Sequence, residues 1–216
     1  MDGMAPLHVE IWSDVVCPWC YVGKRRFESA LKAYDEDVDV RWRSFELDPQ
    51  APPVRDLPAA EHLAAKYGMS VEDARALNAQ MTELAAGEGL EYDLDRTRGG
   101  NTFDAHRVIH LGAARGLQDP VQERLMRGYF RDGEPVGDRA TLVRLAGDAG
   151  LDPAEADAVL ETDAYADDVR ADELLAERMG IRGVPYFVLN RRFGVSGAQP
   201  AEVLVQAFER ARQEAA

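Results

Sequence analysis

The chain of 216 residues is poor in cysteine, in positive charge and in long apolar runs. Its two cysteines are too few for the disulfide framework of a small secreted protein, and a chain of this length buries enough surface to fold without one. Acidic residues outnumber basic ones by 39 to 25, which gives a net charge of −14. This excess argues against a nucleic acid or an anionic membrane surface as the main partner, because both are bound by clustered lysine and arginine.

No apolar segment approaches the roughly 18 residues that a membrane span requires, so we expect no membrane partner. The residues before Cys17 lack a basic region, and His8, Glu10 and Asp14 interrupt their apolar run. A secretory signal needs a basic region followed by an uninterrupted apolar one, so we expect a cytoplasmic protein. The sequence gives no indication of the oligomeric state.

Strand patterns lie at both ends of the chain. Apolar and polar residues alternate over 7–12 and again over 38–43, which predicts two strands. The residues between them have a helical pattern from Pro18 to about Tyr34, so this part should be a βαβ unit with parallel strands. Near the other end, an apolar strand from Pro185 to Asn190 and a hairpin partner precede a final helix.

The middle of the chain, from about residue 59 to residue 180, is rich in alanine and glutamate and contains many helix start and stop signals. It predicts six or seven helices with hardly any strand. Ser70 with Asp73 resembles a capping box, and Asp119 and Asp152, each followed by proline, are predicted to be N-caps. The fold class is therefore α/β, with a helical block inserted between two β segments.

The most specific motif is Cys17-Pro18-Trp19-Cys20, which follows the first predicted strand and begins the first predicted helix. A helix N-terminus offers unpaired N–H groups and the positive end of the macrodipole, so the thiolate of Cys17 should be stabilised there. Cys20 lies about one turn further on, at a separation that a disulfide tolerates. One thiolate can attack a substrate disulfide and the other can resolve the mixed disulfide. Trp19 would offer an apolar contact surface to a substrate.

Three structural roles compete with redox chemistry for the two cysteines. They could be buried apolar residues, or they could form a structural disulfide, which would close too small a loop to stabilise much. They could also form half of a zinc site with His106 and His110, which are four residues apart on a predicted helix. The gap between the two pairs is far longer than in a zinc finger, so we expect no metal site.

Five short segments are distributed over nearly the whole length of the chain: Ser13 to Gly23, Phe45-Glu46-Leu47 with Pro49, Asn101-Thr102 with Asp104 to Arg107, Gly183-Val184-Pro185, and Ser196 to Pro200. In these segments the chain resembles the DsbA family of thioredoxin-fold oxidoreductases, and specifically its cytoplasmic FrnE-like branch. The same superfamily includes kappa-class glutathione transferases and 2-hydroxychromene-2-carboxylate isomerases, which typically have a serine at the position of Cys17.

The resemblance implies a thioredoxin fold interrupted by a large all-helical insertion. Residues 1–53 and 181–216 would form the thioredoxin-like domain, and residues 54–180 the inserted helical domain. Cys17 would be the nucleophile and Cys20 the resolving thiol. Val184-Pro185 would be a cis peptide facing the dithiol, with the backbone of Val184 pairing to substrate. Without the dithiol, Pro185 would be interpreted simply as the first residue of a strand, where proline is allowed.

Further candidates are less specific. His106 is a candidate substrate-binding residue, although such histidines are more often satisfied core or surface residues. Asp14 could assist proton transfer or cap the helix. Ser196, Gly197 and Gln199 could bind the carboxylate of glutathione, and the competing interpretation is that they cap the last helix.

The sequence thus predicts a thiol-disulfide oxidoreductase or isomerase that acts on disulfide-containing proteins or small thiols. We expect no cofactor besides the Cys17–Cys20 pair, with glutathione as a candidate co-substrate. The alternative is a glutathione-dependent isomerase or transferase of the 2-hydroxychromene-2-carboxylate isomerase type.

Overall fold

The computed structural model describes residues 6–214, which form four β-strands and nine α-helices. The strands are β1 (Leu7–Ser13), β2 (Val38–Ser44), β3 (Tyr186–Leu189) and β4 (Phe193–Ser196). The helices are α1 (Pro18–Ala33), α2 (Ala59–Tyr67), α3 (Val71–Gly87), α4 (Phe103–Ala114), α5 (Gln118–Phe130), α6 (Arg139–Asp148), α7 (Pro153–Glu161), α8 (Ala166–Arg178) and α9 (Ala201–Gln213). None of these helices is long and apolar enough to cross a lipid bilayer.

The four strands form one mixed sheet in the order β2-β1-β3-β4. β1 and β2 are parallel, with Leu7 opposite Val38 and Ser13 opposite Ser44. α1 connects these two strands, so the predicted βαβ unit is confirmed. β3 is antiparallel to both β1 and β4.

The larger apolar core of the sheet lies against α1 and α9. Val9 and Ile11 of β1 are fully buried there. Phe27 of α1 packs between two other rings, with its centroid 5.7 Å from that of Phe187 and 5.9 Å from that of Phe208. This packing fixes α1 on the sheet, and with it the cysteine motif at the start of the helix.

The opposite face of the sheet holds a buried ionic network. Arg43 on β2 donates hydrogen bonds to Glu10 on β1 and to Asp172 Oδ1, the latter at 2.6 Å. The other oxygen of Asp172 accepts the backbone N–H of Ser44 at 3.1 Å. Burial raises the pKa of Glu10, but hydrogen bonds from Arg43 and Arg191 more than offset this effect and hold the pKa below its ordinary value.

The chain divides into two compact units. Within the described residues, one unit consists of 6–45 and 172–214 and contains the sheet, and the other, Glu46–Ala171, contains α2 to α7 and the start of α8. The sequence analysis placed these boundaries at 53/54 and 180/181. The proline-rich segment before α2 lies with the helical unit, because Asn101 donates its backbone N–H to Pro52 at 2.8 Å and Arg55 donates to Gly99 at 2.6 Å.

Two segments of the family resemblance meet inside the helical unit. The Glu46 carboxylate accepts hydrogen bonds from the Asn101 side chain at 3.1 Å and from Arg170 at 2.6 Å. The buried Arg107 guanidinium donates to the backbone carbonyls of Val159, Thr162 and Ala164 where α7 ends. These polar residues therefore stabilise the helical unit.

The structure can be compared with the three helix N-caps that were predicted from local sequence signals. Ser70 accepts the backbone N–H of Asp73 at 3.0 Å, and Asp152 accepts that of Ala154 at 2.9 Å, so both predicted caps are confirmed. The predicted cap at Asp119 is wrong, because α5 begins at Gln118. Its proline then occupies the first turn, where a missing N–H costs nothing.

Candidate active site

The candidate site is built where β1 passes into α1. Cys17 is the N-cap residue of α1 and Pro18 is the first helical residue. The backbone N–H groups of Cys20 and Tyr21 donate to the Cys17 carbonyl, at 3.0 and 3.4 Å. Both cysteines are free thiols. Cys17 is 5% exposed and Cys20 is fully buried, so the two sulfurs form an outer and an inner member of a pair.

The loop before β3 lies beside the outer sulfur. Cys17 Sγ is 3.6 Å from the carbonyl oxygen of Val184, which accepts a hydrogen bond from the thiol. The Val184–Pro185 peptide bond is cis. The structure therefore brings together three of the residues that the sequence analysis selected, Cys17, Val184 and Pro185, although they lie about 170 positions apart in the chain.

Pro185 is held from two sides. Its carbonyl accepts the backbone N–H of Gly197 at 2.9 Å. Its ring lies against Gly23 in α1, and a Cβ atom added to Gly23 would be 2.8 Å from Pro185 Cγ. The carbonyl of Ala198, which follows Gly197 between β4 and α9, accepts a hydrogen bond from Arg26 of α1 at 2.6 Å. The proline loop and α1 are thus fixed against each other next to the dithiol.

The inner thiol has an environment of its own. Burial raises the pKa of Cys20 well above its ordinary value, and its hydrogen bond with Cys17 raises the pKa further. Hydrogen bonding of the Cys20 thiol with the backbone of Asp14 and with the side chain of Ser13 acts in the opposite direction and lowers its pKa in part. Ser13 is 2% exposed and Asp14 is 1% exposed, so both residues are almost completely shielded from water.

Trp19 is the exposed member of the motif. Its side chain is 46% accessible, which is unusual for a large apolar residue that lies between two buried cysteines. An exposed aromatic ring beside a reactive thiol can bury apolar surface of a bound substrate. This placement agrees with the contact role that the sequence analysis gave to Trp19, and the role stays a prediction.

The remaining predicted residues fall in two places. His106 is buried on α4 in the helical unit, and its role in substrate binding stays a prediction. Ser196 is the last residue of β4, and Gly197 and Gln199 lie in the turn between β4 and α9, where the Gln199 side-chain amide donates to the Ser196 carbonyl at 2.9 Å. The N-cap of α9 is Pro200, so none of these three residues caps the helix as the competing interpretation supposed. Binding of glutathione by this turn stays a prediction.

A cavity of about 460 Å³ opens elsewhere on the sheet unit, near the start of β1. Charged side chains line much of it, including those of Glu10, Arg41 and Arg191. The residues of β1 that line it are separated from Ser13 by roughly 10–16 Å of extended strand, so the cavity is not part of the dithiol site. Among residues 6–214, no group of three or more histidine, cysteine or acidic side chains is placed to hold a metal ion.

Sequence reasoning did not identify two residues of the site, Ser13 and Gly23. Both lie within the segment that carries the family resemblance, but nothing in their residue type marks them as functional. The contact of Ser13 with Cys20 arises from the turn of the chain after β1, and that of Gly23 with Pro185 joins distant parts of the sequence. Such contacts depend on tertiary structure.

A family model described as "DSBA-like thioredoxin domain" matches residues 8–209, which is nearly the whole chain. The protein belongs to the DSBA-like thioredoxin family. Its fold is accordingly a DsbA-like thioredoxin fold with a helical insertion, as the sequence resemblance implied. The family is one of thiol oxidoreductases, and the free thiols of Cys17 and Cys20 lie where the motif predicts them.

Three proteins illustrate the similarity. The crystal structure of a probable DsbA oxidoreductase, SCO1869 from Streptomyces coelicolor, is 50% identical, with a TM-score of 0.92 over 96% of this chain and 91% of that one. YwbO of Bacillus subtilis, an uncharacterized protein, is 29% identical over 94% of this chain and 96% of its own. The cytosolic disulfide reductase DsbM from Pseudomonas aeruginosa, solved with GSH, is 18% identical and covers 96% and 99% of the two chains with a TM-score of 0.65. DsbM therefore supports the shared fold alone.

Proposed function

We propose that this DsbA-like protein is a thiol-disulfide oxidoreductase in which Cys17 is the nucleophile and Cys20 the resolving thiol. The observation that carries the proposal is the arrangement at the start of α1. Cys17 occupies the N-cap position of α1 beside the Val184 carbonyl, and Cys20 lies about one turn further on and is fully buried. A helix N-terminus stabilises a thiolate, and an outer sulfur is the one that a substrate can reach.

The reaction proceeds in two exchanges. The Cys17 thiolate attacks a substrate disulfide, the substrate S–S bond breaks, and one substrate thiolate leaves. Cys20 then loses its proton and attacks Cys17 Sγ, which releases the second substrate thiol and leaves a Cys17–Cys20 disulfide. The substrate gains two electrons and the enzyme loses two. The reverse sequence oxidises a substrate dithiol, and the reduction potential relative to glutathione decides the direction.

The substrates that fit this site are disulfide-containing proteins and small disulfides. Trp19 offers an exposed apolar surface beside Cys17, and the Val184 backbone can pair with an extended peptide. Glutathione is the proposed small co-substrate, and the DsbM structure, which was solved with GSH, supports testing it first. The assignment to the FrnE-like branch stays a prediction. A cytoplasmic location also stays a prediction, and its support is the name of DsbM, which describes that protein as cytosolic.

The test compares Cys17→Ser with Cys20→Ser. Wild-type protein should reduce a protein disulfide with glutathione as electron source, and both variants should lose this activity. Cys20→Ser should accumulate a mixed disulfide with substrate, visible on non-reducing electrophoresis, because Cys17 still attacks and nothing resolves the product. Cys17→Ser should accumulate none. Equal trapping by the two variants would contradict the assigned roles.

The isomerase or transferase alternative predicts a different outcome for the same variants. A serine at position 17 could support glutathione-dependent isomerisation, as it does in the relatives that carry serine at the matching position. Retained isomerase activity in Cys17→Ser, with no disulfide exchange by the wild type, would favour this alternative. The second cysteine argues for exchange, since an isomerase of that type has no step for a resolving thiol.

A further inference from the structure

The loop that carries Val184 is supported by the turn between β4 and α9. The loop leads into β3, and its Val184 carbonyl oxygen is 3.6 Å from Cys17 Sγ. The turn holds the loop from the next residue, because the Gly197 backbone N–H donates to the Pro185 carbonyl at 2.9 Å. The position of the Val184 carbonyl beside the sulfur therefore depends on the position of this turn.

The turn is in its own right anchored to α1 by a side chain. Arg26 Nη1 donates to the Ala198 backbone carbonyl at 2.6 Å, a bond between residues 172 positions apart in the chain. Gly23 lies on the same face of α1, and a Cβ atom added to it would be 3.5 Å from Ala198 Cβ. A hydrogen bond from an ionised donor is stronger than one from a neutral donor. Arg26 thus supplies a polar link where Gly23 permits close approach.

We propose that Arg26 is a positioning residue for substrate docking, which holds the Val184 loop in the conformation with which an extended peptide pairs. The inference rests on the proposed exchange function, in which the Val184 backbone pairs with substrate. The effect of Arg26 passes through the Ala198 carbonyl and the turn to Pro185. The guanidinium only donates a hydrogen bond and takes no part in the exchange chemistry.

Loss of the Arg26 bond should loosen the loop without displacing it. The bond from the turn to Pro185 and the contact of Gly23 with the same proline both remain, so the mean position of Val184 is kept. A peptide that pairs with Val184 must then order the loop as it binds, and that cost weakens binding. A small disulfide that forms no backbone pairing avoids the cost. Arg26 should therefore determine the affinity for peptide disulfides rather than the reactivity of Cys17.

Arg26→Met removes the donor and keeps an unbranched side chain. With insulin as the peptide disulfide and glutathione as electron source, it should raise KM by roughly three- to tenfold and leave kcat within about twofold. One equivalent of Ellman's reagent tests a small disulfide, because attack by Cys17 releases the first nitrothiobenzoate. That rate should stay within about twofold of wild type. A merely structural role would instead lower the stability in urea and slow both reactions together.

Arg25→Met is the matched control, since the residue is adjacent and the substitution changes the net charge equally. The Arg25 guanidinium donates to Glu28 and Tyr21, which both lie on α1 itself. This variant should leave KM for insulin and the reaction with Ellman's reagent unchanged. Arg26→Lys keeps a charged donor and should restore part of the lost affinity. If Arg26→Met does not fold, Arg26→Lys and the shorter, uncharged Arg26→Gln provide the comparison, and the lysine variant should have the lower KM.

The outcomes distinguish this inference from the function on which it rests. An unchanged KM for insulin in Arg26→Met, an equal rise in Arg25→Met, or a slowing with Ellman's reagent as large as that with insulin would each overturn the role of Arg26. A lysine variant no better than the methionine or glutamine variant would overturn it as well. A wild-type protein that does not reduce insulin would instead overturn the proposed exchange function.

Discussion

Replacing Gly23 by alanine tests whether the close approach of α1 to the proline loop shapes the site. A Cβ atom at this position would lie 2.8 Å from Pro185 Cγ, 3.4 Å from Pro185 Cβ and 3.5 Å from Ala198 Cβ. The first distance is far below van der Waals contact. The proline ring is rigid and part of the backbone, so it cannot move aside without moving the loop that carries Val184.

Two opposing terms set the expected change in the free energy of unfolding. Overpacking a well-packed interior costs about 1–3 kcal/mol. Alanine is about 1 kcal/mol better than glycine inside a helix, which offsets part of that cost. Gly23→Ala should therefore be less stable by about 0–2 kcal/mol. It should also slow the attack by Cys17 roughly two- to tenfold, because the Val184 carbonyl would shift from the sulfur.

Gly87→Ala provides the control, because a Cβ atom added at Gly87 meets no other group within 4 Å. It should stabilise the protein by up to about 1 kcal/mol and leave exchange unchanged. Urea unfolding gives the stabilities. The rate of attack by Cys17 is measured as the release of the first nitrothiobenzoate from one equivalent of Ellman's reagent. If Gly23→Ala is as stable and as active as Gly87→Ala, the close approach has no consequence and the argument fails.

Three further predictions concern single side chains. Glu10→Gln should lose up to about 3 kcal/mol at neutral pH, measured by urea unfolding, because it leaves the buried Arg43 guanidinium with one carboxylate, that of Asp172, in place of two. The pKa of Glu10 is lowered on folding, so its contribution to stability is complete above its ordinary pKa of about 4.5 and is lost as the pH falls through the folded value. The stability difference between wild type and Glu10→Gln should therefore shrink below pH 4.5. An equal difference at about pH 3 would contradict this. Arg107→Ala should cost roughly 3 kcal/mol, since buried carbonyls lose their donor, whereas Arg96→Ala at an exposed site should cost less than about 0.5 kcal/mol. Trp19→Ala should lower kcat/KM about tenfold for a protein disulfide and much less for glutathione disulfide, and an equal loss for both would exclude a docking role.

The sequence was sufficient to predict a strand, helix or cap wherever the short-range signals agree with the tertiary structure. β1 and α1 follow from a period of two, then a proline at the first helical position, then a helical period, and the structure places them within a residue or two of the prediction. The caps at Ser70 and Asp152 depend on bonds to residues two or three positions away, which a sequence displays directly.

The misplaced cap at Asp119 shows the limit of local signals. The preceding helix ends at Ala114, Gly116 just beyond it has a φ of 71°, and the Leu117 N–H donates to the Gly112 carbonyl at 2.7 Å. The new helix therefore begins at once, at Gln118, one residue before the Asp119-Pro120 pair. The geometry with which one helix ends had determined where the next began, and the sequence signal for a cap could not show this.

The candidate site divides in the same way. Cys17 and Cys20 are recognisable from their spacing and their place after a strand, whereas Val184 and Pro185 were selected only through the family resemblance. Ser13 and Gly23 could not be identified from the sequence, because only a tertiary contact marks each of them. Ser13 contacts the Cys20 sulfur and Gly23 contacts the Pro185 ring. The Glu10–Arg43–Asp172 network likewise joins three separate segments, and no periodicity predicts it.

Cys17 and Cys20 are the only two cysteines of the sequence, so the redox state of the protein's cysteines is the redox state of the dithiol. Every protein thiol that a denatured sample yields on alkylation comes from the dithiol, and every disulfide-linked adduct is carried by Cys17 or Cys20. Oxidised, reduced and substrate-linked forms can therefore be quantified by intact mass in a mixture, with no background to subtract. The full electron balance of a turnover can thus be read from one spectrum.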